Sequence, residues 1–218
     1  IRDLGLYLIQ EKILIISDIH IGYEESLNRQ GILVPRIYFH DFLERLKKML
    51  DNVETVVING DLKHAFAGMS STEWRGSKEL FELLTGKKII IIQGNHDPLL
   101  PYVFTKTQIV PFFKVGEILI AHGDNILQEE AKIIIIGHEH CAIGLKEKIR
   151  IEKFKCFLKG KFKESILIAM PSSNLASEGT DVIRSERLSP YLKQDLQNFD
   201  VFIVSEKVYA FGKVKNLQ

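Results

Sequence analysis

Five short apolar runs in this chain end at once in an aspartate or a histidine. Residues 13–16 lead into Ser17-Asp18-Ile19-His20, and residues 55–58 into Asn59-Gly60-Asp61. Residues 88–92 lead into Gly94-Asn95-His96-Asp97, 117–121 into His122-Gly123-Asp124, and 133–136 into Gly137-His138-Glu139-His140. The runs are far shorter than the roughly 18 residues of a membrane span. They lack alternation, as strands covered on both faces do. Core packing has no use for a carboxylate, an amide and an imidazole together. Burying one neutral polar group unpaired costs roughly 2–7 kcal/mol. Such groups belong at the mouth of a sheet, where side chains point into a cleft.

Between these runs, Phe39, Phe42, Leu43, Leu46, Met49 and Leu50 recur at helical spacing, which predicts an amphipathic helix with Pro35 in its first turn. A second helix is expected over 72–85, with capping-box spacing from Ser70 to Glu73 and a stop at Gly86. A short one is expected over 126–131. Strands are expected over 4–9, 13–16, 55–58, 88–92, 108–115, 117–121 and 133–136. Alternation of strand and helix predicts an α/β fold with a parallel sheet and right-handed crossovers. Beyond Cys141, residues 142–151, 154–159, 165–170, 201–205 and 207–211 predict a second, mainly antiparallel sheet, and 172–192 a polar loop. The length of 218 residues suits one domain over 1–218.

Composition excludes little. The net charge of +1 makes no global demand for nucleic acid or an anionic membrane. Two cysteines, Cys141 and Cys156, fit a reducing compartment, so a cytoplasmic location without a membrane partner is expected. Residues 146–164 carry eight positive side chains against three glutamates. They predict an edge strand guarded by lysines; the alternative is a strand tracking a nucleic-acid backbone. No nucleophile elbow, Walker loop or dinucleotide fingerprint is present.

Asp18, His20, Asp61, Asn95, His96, His122, His138 and His140 gather the chemistry, with five of the seven histidines. In open α/β sheets ligands bind beyond the carboxyl ends of strands, so these loops should converge. The spacing of Asp18 to His20, and of His138 to His140, puts both side chains on one side of an extended segment. Mixed oxygen and nitrogen donors suit Mn²⁺, Fe or Zn²⁺. Their number exceeds one ion; two ions about 3.5–4 Å apart, sharing a carboxylate, would use them.

Asp18-Ile-His20, Gly60-Asp61, Gly94-Asn95-His96-Asp97, His122-Gly123 and Gly137-His138-Glu-His140, in that order, resemble the motifs of the calcineurin-like metallophosphoesterase superfamily. Residues 17–36, SDIHIGYEESLNRQGILVPR, further resemble the small phosphoesterases related to the SbcD repair-nuclease subunit and those found beside bacterial DNA ligases. The resemblance implies a sandwich of two mixed β-sheets flanked by helices, in four αββα layers. It implies that Asp18, His20 and His140 hold one metal, that Asn95, His122 and His138 hold the other, and that Asp61 bridges them. His96 would face the scissile phosphate with Asp97 orienting its ring, and a metal-bridging hydroxide would attack. His64 would contact phosphate or lie behind the ligands. Mn²⁺ is the expected metal, with Fe, Zn²⁺ and Ni²⁺ compatible. The implied activity is a phosphodiesterase acting on nucleotides or nucleic acid. Alternatives are a nucleotide pyrophosphatase or phosphomonoesterase, and a non-catalytic metal-binding scaffold of the retromer-subunit kind. The oligomeric state stays open, a homodimer included. Outside this set, His40 and Cys141 are read as structural, Glu139 as pointing away, and Arg29 and Arg36 as solvated surface. Tyr23 and Glu24 could line the cleft or a surface loop.

Overall fold

The computed structural model describes residues 1–66, 68–147 and 150–217. Its first sheet holds β1 (Leu6–Leu8), β2 (Ile13–Ser17), β3 (Thr55–Asn59), β4 (Lys88–Ile92) and β5 (Gln108–Val110) in chain order. β1 is antiparallel to β2, and the other pairs are parallel. Four helices interrupt this half: α1 (Tyr23–Arg29), α2 (Tyr38–Met49), α3 (Ser71–Leu83) and α4 (Leu100–Val103). α2 buries Phe42, Leu46 and Met49, as its periodicity requires, but starts at Tyr38 and leaves Pro35 outside. α3 opens with the expected capping box: Glu73 N donates to Ser70 Oγ (3.2 Å) and Ser70 N to Glu73 Oε2 (2.6 Å). α1 was not foreseen, because it buries no residue and so carries no apolar stripe.

The second sheet contains β6 (Phe112–Val115), β7 (Ile118–Ala121), β8 (Ile133–Ile136), β9 (Cys141–Glu147) and β10 (Arg150–Phe162). It continues with β11 (Ser165–Ala169), β12 (Thr180–Asp181), β13 (Asp200–Val204) and β14 (Val208–Lys213). The order is β12-β9-β10-β11-β8-β7-β6, with β13 joining β10 and β14. β7, β8 and β11 run parallel, so this sheet is mixed too.

Several expectations need correction. The second sheet starts at Phe112, well before Cys141. The strand expected over 108–115 breaks at Pro111, which has no N–H for a ladder, and there the chain passes from one sheet to the other. Residues 126–131 form no helix: Ile126 is exposed and Leu127 N donates to the Tyr191 hydroxyl (3.0 Å). The basic strand β10 is no edge over its second half, where Cys156–Lys159 pair with β13 and Leu158–Phe162 with β11. Of the strand expected over 142–151, residues 148 and 149, with Lys148 of the basic run, lie outside the described residues.

Three apolar layers hold the fold together. α2 and α3 pack Phe42, Leu46, Leu80 and Leu84 on one face of the first sheet, against Leu14, Ile16, Val56 and Ile58. Between the sheets, Ile15, Val57, Ile90 and Ile92 meet Ile120, Ile135, Phe157 and Met170. The outer face of the second sheet is covered by Val182, Tyr191, Leu192, Leu196 and Phe199. The two mixed sheets and the helical layer are those expected. The fourth layer is irregular chain rather than helix. No helix among the described residues is long and apolar enough to cross a membrane.

Candidate metal centre

The strand ends of both sheets meet at one cleft. Asp18 and His20 follow β2, Asp61 follows β3, and Asn95 and His96 follow β4; His122 follows β7, and His138 and His140 follow β8. Asp18, His20, Asp61 and His122 are buried. Asp18, His20, Asp61 and His140 form one donor group, and Asp61, His122 and His138 a second; within each, the donor atoms lie within 4.8 Å of one another. Asp61 is common to both.

The separations test whether cations fit. Donors held about 2.0–2.2 Å from one ion lie roughly 3.0–3.5 Å apart. His20 Nε2 and His140 Nε2 are 3.1 Å apart, His138 Nδ1 and His122 Nε2 3.2 Å, and His122 Nε2 and Asn95 Oδ1 3.0 Å. Asp61 Oδ2 is 3.5 Å from both His20 Nε2 and His122 Nε2, and Asp18 Oδ1 is 3.5 Å from His140 Nε2. These are ligand-to-ligand distances, and the set fits divalent metal binding.

Local folding fixes the donors. Asp18 accepts from Ser17 Oγ (2.6 Å) and from the backbone N–H of His138 (3.0 Å to Oδ2), which ties the two sheets. Asp61 Oδ1 accepts from His96 N (2.9 Å). His122 Nδ1 is aimed at the Asn59 carbonyl (3.4 Å), leaving Nε2 to the cleft, the usual outer partner of a ligating imidazole. A Cβ on Gly94 would run into Asp61, and one on Gly60, at φ +79°, into the His122 ring. The motif glycines are therefore required by close approach.

The period-two spacing does not act as expected. Asp18, His20, His138 and His140 sit on left-handed backbone, φ 49° to 63°, so their side chains converge through a turned chain and not an extended one. Asp97 also needs correction. It does not reach the His96 ring; its carboxylate accepts from Leu62 N (3.0 Å), Lys63 N (3.3 Å) and Gly94 N (3.3 Å), clamping two loops. The His96 ring is oriented by the carbonyl of His64, 2.6 Å from Nδ1. The His64 ring lines the cleft and stacks on His96 at 5.4 Å.

Burial and charge set the protonation states. Burial, then the neighbouring imidazoles, pull His20 down, and burial and His122 take His138 down to about 4. Burial lowers His64 and His96 as well. These four neutral imidazoles offer lone pairs at pH 7, as a cation needs, whereas at His122 the lowering by burial is outweighed by Asp18 and Asp61, which raise it, so a cation there must displace its proton. Burial alone would raise Asp18, but His140, His122 and His20 hold it well below the usual carboxylate range. Burial pushes Asp61 up to about 7, with the Asp18 charge adding to it.

Several residues here were not foreseen. Ser172 Oγ donates to Asp18 O (2.7 Å), Ser173 N donates to Ser17 O (2.8 Å), and Asn174 lines the cleft. Half-buried Lys155 holds the carbonyls of Ser172 (2.7 Å) and Asn174 (2.5 Å). Their signal was a sixth apolar run, 165–170, ending in Ser-Ser-Asn after Pro171. Buried Lys63 bonds the carbonyls of Ala65 and His96. Phe66 and Leu188, both 57% exposed, stand at the cleft. Tyr23 lines it too, whereas Glu24 turns away to Tyr38 N (2.7 Å) and Arg29 pairs with Glu25 (2.7 Å). Glu139 turns to Ser189 N (2.8 Å), and Cys141 packs in the outer core.

Two facing sheets whose strand ends carry paired carboxylate–imidazole donor groups define an α/β fold with a candidate metal centre between its sheets. The chain belongs to the calcineurin-like phosphoesterase family, whose model matches residues 11–129. Among solved structures it is similar to the nuclease MPE of Pseudomonas putida, at 17% identity and a TM-score of 0.69, over 97% of this chain and 93% of that one. It is also similar to a conserved predicted phosphoesterase of Streptococcus pneumoniae TIGR4, at 18% identity and a TM-score of 0.39, over 90% and 91% of the two chains. No curated protein matches it.

Proposed function

We propose that this chain is a two-metal phosphodiesterase acting on nucleotide or nucleic-acid esters. The observation that carries the reading is the pair of donor groups sharing Asp61, with His96 beside them. Asp18, His20, Asp61 and His140 would hold one cation, and Asp61, Asn95, His122 and His138 the other. Mn²⁺ is the first choice for so mixed a donor set. When bound, the cations neutralise phosphate charge and acidify water near pH 7.

His96 does the chain's own part. A carbonyl oxygen only accepts, so Nδ1 carries the proton given to His64 O, and Nε2 is left toward Asp61 at 4.0 Å. To act there the ring must first take up a second proton at Nε2, which an anionic phosphate beside it favours. As imidazolium it steadies phosphoryl oxygens or gives that Nε2 proton to the leaving ester oxygen, returning to the neutral Nδ1–H form. Asp97 and Lys63 keep the loops that carry the pair in register.

A diester is favoured over a monoester on charge. The cleft, about 430 Å³, is lined by no Lys or Arg among the described residues. A diester brings one negative charge where a monoester at neutral pH brings nearly two. The Pseudomonas putida structure of this fold is a nuclease, which puts nucleic acid among the esters to try. The test is hydrolysis of bis-p-nitrophenyl phosphate beside p-nitrophenyl phosphate, after chelation and Mn²⁺ restoration, with His96→Ala in parallel. Metal-dependent diester turnover that falls by roughly 10²–10⁴ in the variant is the expected result. Turnover of neither ester by protein with metal bound would overturn the reading.

A further inference from the structure

Phe66 is an apolar ring left 57% exposed beside a polar centre. Its centroid lies 3.7 Å from that of His96, the planes 30° apart. His64 stacks on His96 at 26°, and Tyr23 stands edge-on to His64 at 4.9 Å. The position of Phe66 is built. The preceding N–H groups of His64 (3.1 Å) and Ala65 (2.8 Å) donate to the buried Glu73 carboxylate, and Lys63 ties the Ala65 and His96 carbonyls together. Leu188 adds a second apolar side chain to the cleft, which no cationic side chain lines among the described residues. Such surroundings suit a flat, neutral ring better than a polyanionic backbone, which is held mainly by Lys and Arg.

We propose that Phe66 is a stacking platform for the base of a nucleotide whose phosphate lies at the metal centre, an inference that rests on the phosphoesterase reading above. His96 faces the phosphate, and Phe66 lies one ring farther out, which is the order of phosphate and base along a nucleotide. Every base has a π-face, so the platform selects for the presence of a base and only weakly for its identity.

Calorimetry on Mn²⁺-loaded protein tests this with thymidine 5′-monophosphate and deoxyribose 5-phosphate, ligands that differ by the base. The nucleotide is expected to bind roughly 5- to 100-fold more tightly. In Phe66→Leu the ratio of the two dissociation constants collapses toward one, and in Phe66→Trp it persists. A ratio of one in the unaltered protein, no nucleotide binding, or an unchanged ratio in Phe66→Leu overturns the platform. Diester turnover is measured on the same samples. Turnover with a ratio of one overturns the platform alone, whereas a Phe66-dependent ratio without turnover of any ester overturns the hydrolase reading alone.

Discussion

Asp18, His20, Asp61, His138 and His140 are five of the nine non-glycine residues with positive φ among those described. Each such backbone costs of order 1–3 kcal/mol and persists where function demands it. These five side chains therefore sit on stored strain, which cation binding would offset in the reading proposed above. In His140→Gly, glycine relieves the left-handed backbone. In chelator this variant should unfold at the same urea midpoint as the parent or higher, by up to about 1 kcal/mol. In Mn²⁺ the parent should regain the lead. A lower midpoint in chelator would count against strain. Protons compete at the same atoms. With Asp61 pushed up to about 7, and His122 raised, its burial outweighed by Asp18 and Asp61, a cation must displace protons from this pair as the pH falls. Mn²⁺ affinity should therefore climb from pH 5.5 through 7 and level off only once both groups have lost their protons, with proton release on binding that fades over the same range. Calorimetry in buffers of different ionisation enthalpy reads both. At this scale the residues that gather at the cleft were legible from residue type, because carboxylates and imidazoles ending apolar strands have little other use. How they converge was not legible. Left-handed backbone at Asp18 or His20 has no sequence signature outside glycine, and the role of Asp97 depends on three N–H groups brought from 62, 63 and 94.

Glu73 shows how one element serves two ends. It closes the capping box of α3 and also holds the N–H groups of His64 and Ala65, so a helix cap fixes the loop that aims His96. Glu73→Gln leaves one acceptor oxygen for three N–H groups. Stability should fall by about 1.5–3 kcal/mol, the worth of hydrogen bonds to a charged group, in urea melts. kcat should fall with it, because His64 carries the orienting carbonyl; a stability loss with kcat intact would separate the two roles. The capping box was readable as Ser70-x-x-Glu73, but its second use was not, since the partners lie in the preceding loop. The same contrast runs through the other elements. The buried parallel strands announced themselves by unbroken apolar runs. α1 gave no signal because it buries nothing, and β10 misled because Lys155, read as a solvent guard, is a half-buried donor to the loop beside Asp18.

For the whole molecule, the candidate metal centre would clamp the two sheets together, because each donor group draws on both. Ligands that bind only the folded state stabilise it by mass action, about 4 kcal/mol at a thousandfold excess over the dissociation constant. Restoring Mn²⁺ to chelated protein should raise the thermal midpoint by several degrees, and in Asp61→Asn, where the shared carboxylate is gone, the rise should shrink. An equal rise in both would show that the ions bind elsewhere. The sandwich itself was legible down to its two mixed sheets. The boundary between them was not, because β5 and β6 read as one strand and only Pro111 separates them.

That boundary has a consequence in time. The strands of the first sheet all lie before Pro111, and those of the second all lie after it. A chain growing from its amino end therefore completes one sheet's strands before making any of the other's. Asp18, His20, Asp61 and Asn95 are synthesised well before the histidines that finish their sets. Neither set closes until His138 and His140 have been added, so the emerging chain cannot hold metal in its final coordination while its second half is unmade. A cation held by either complete set would therefore report that both halves have docked.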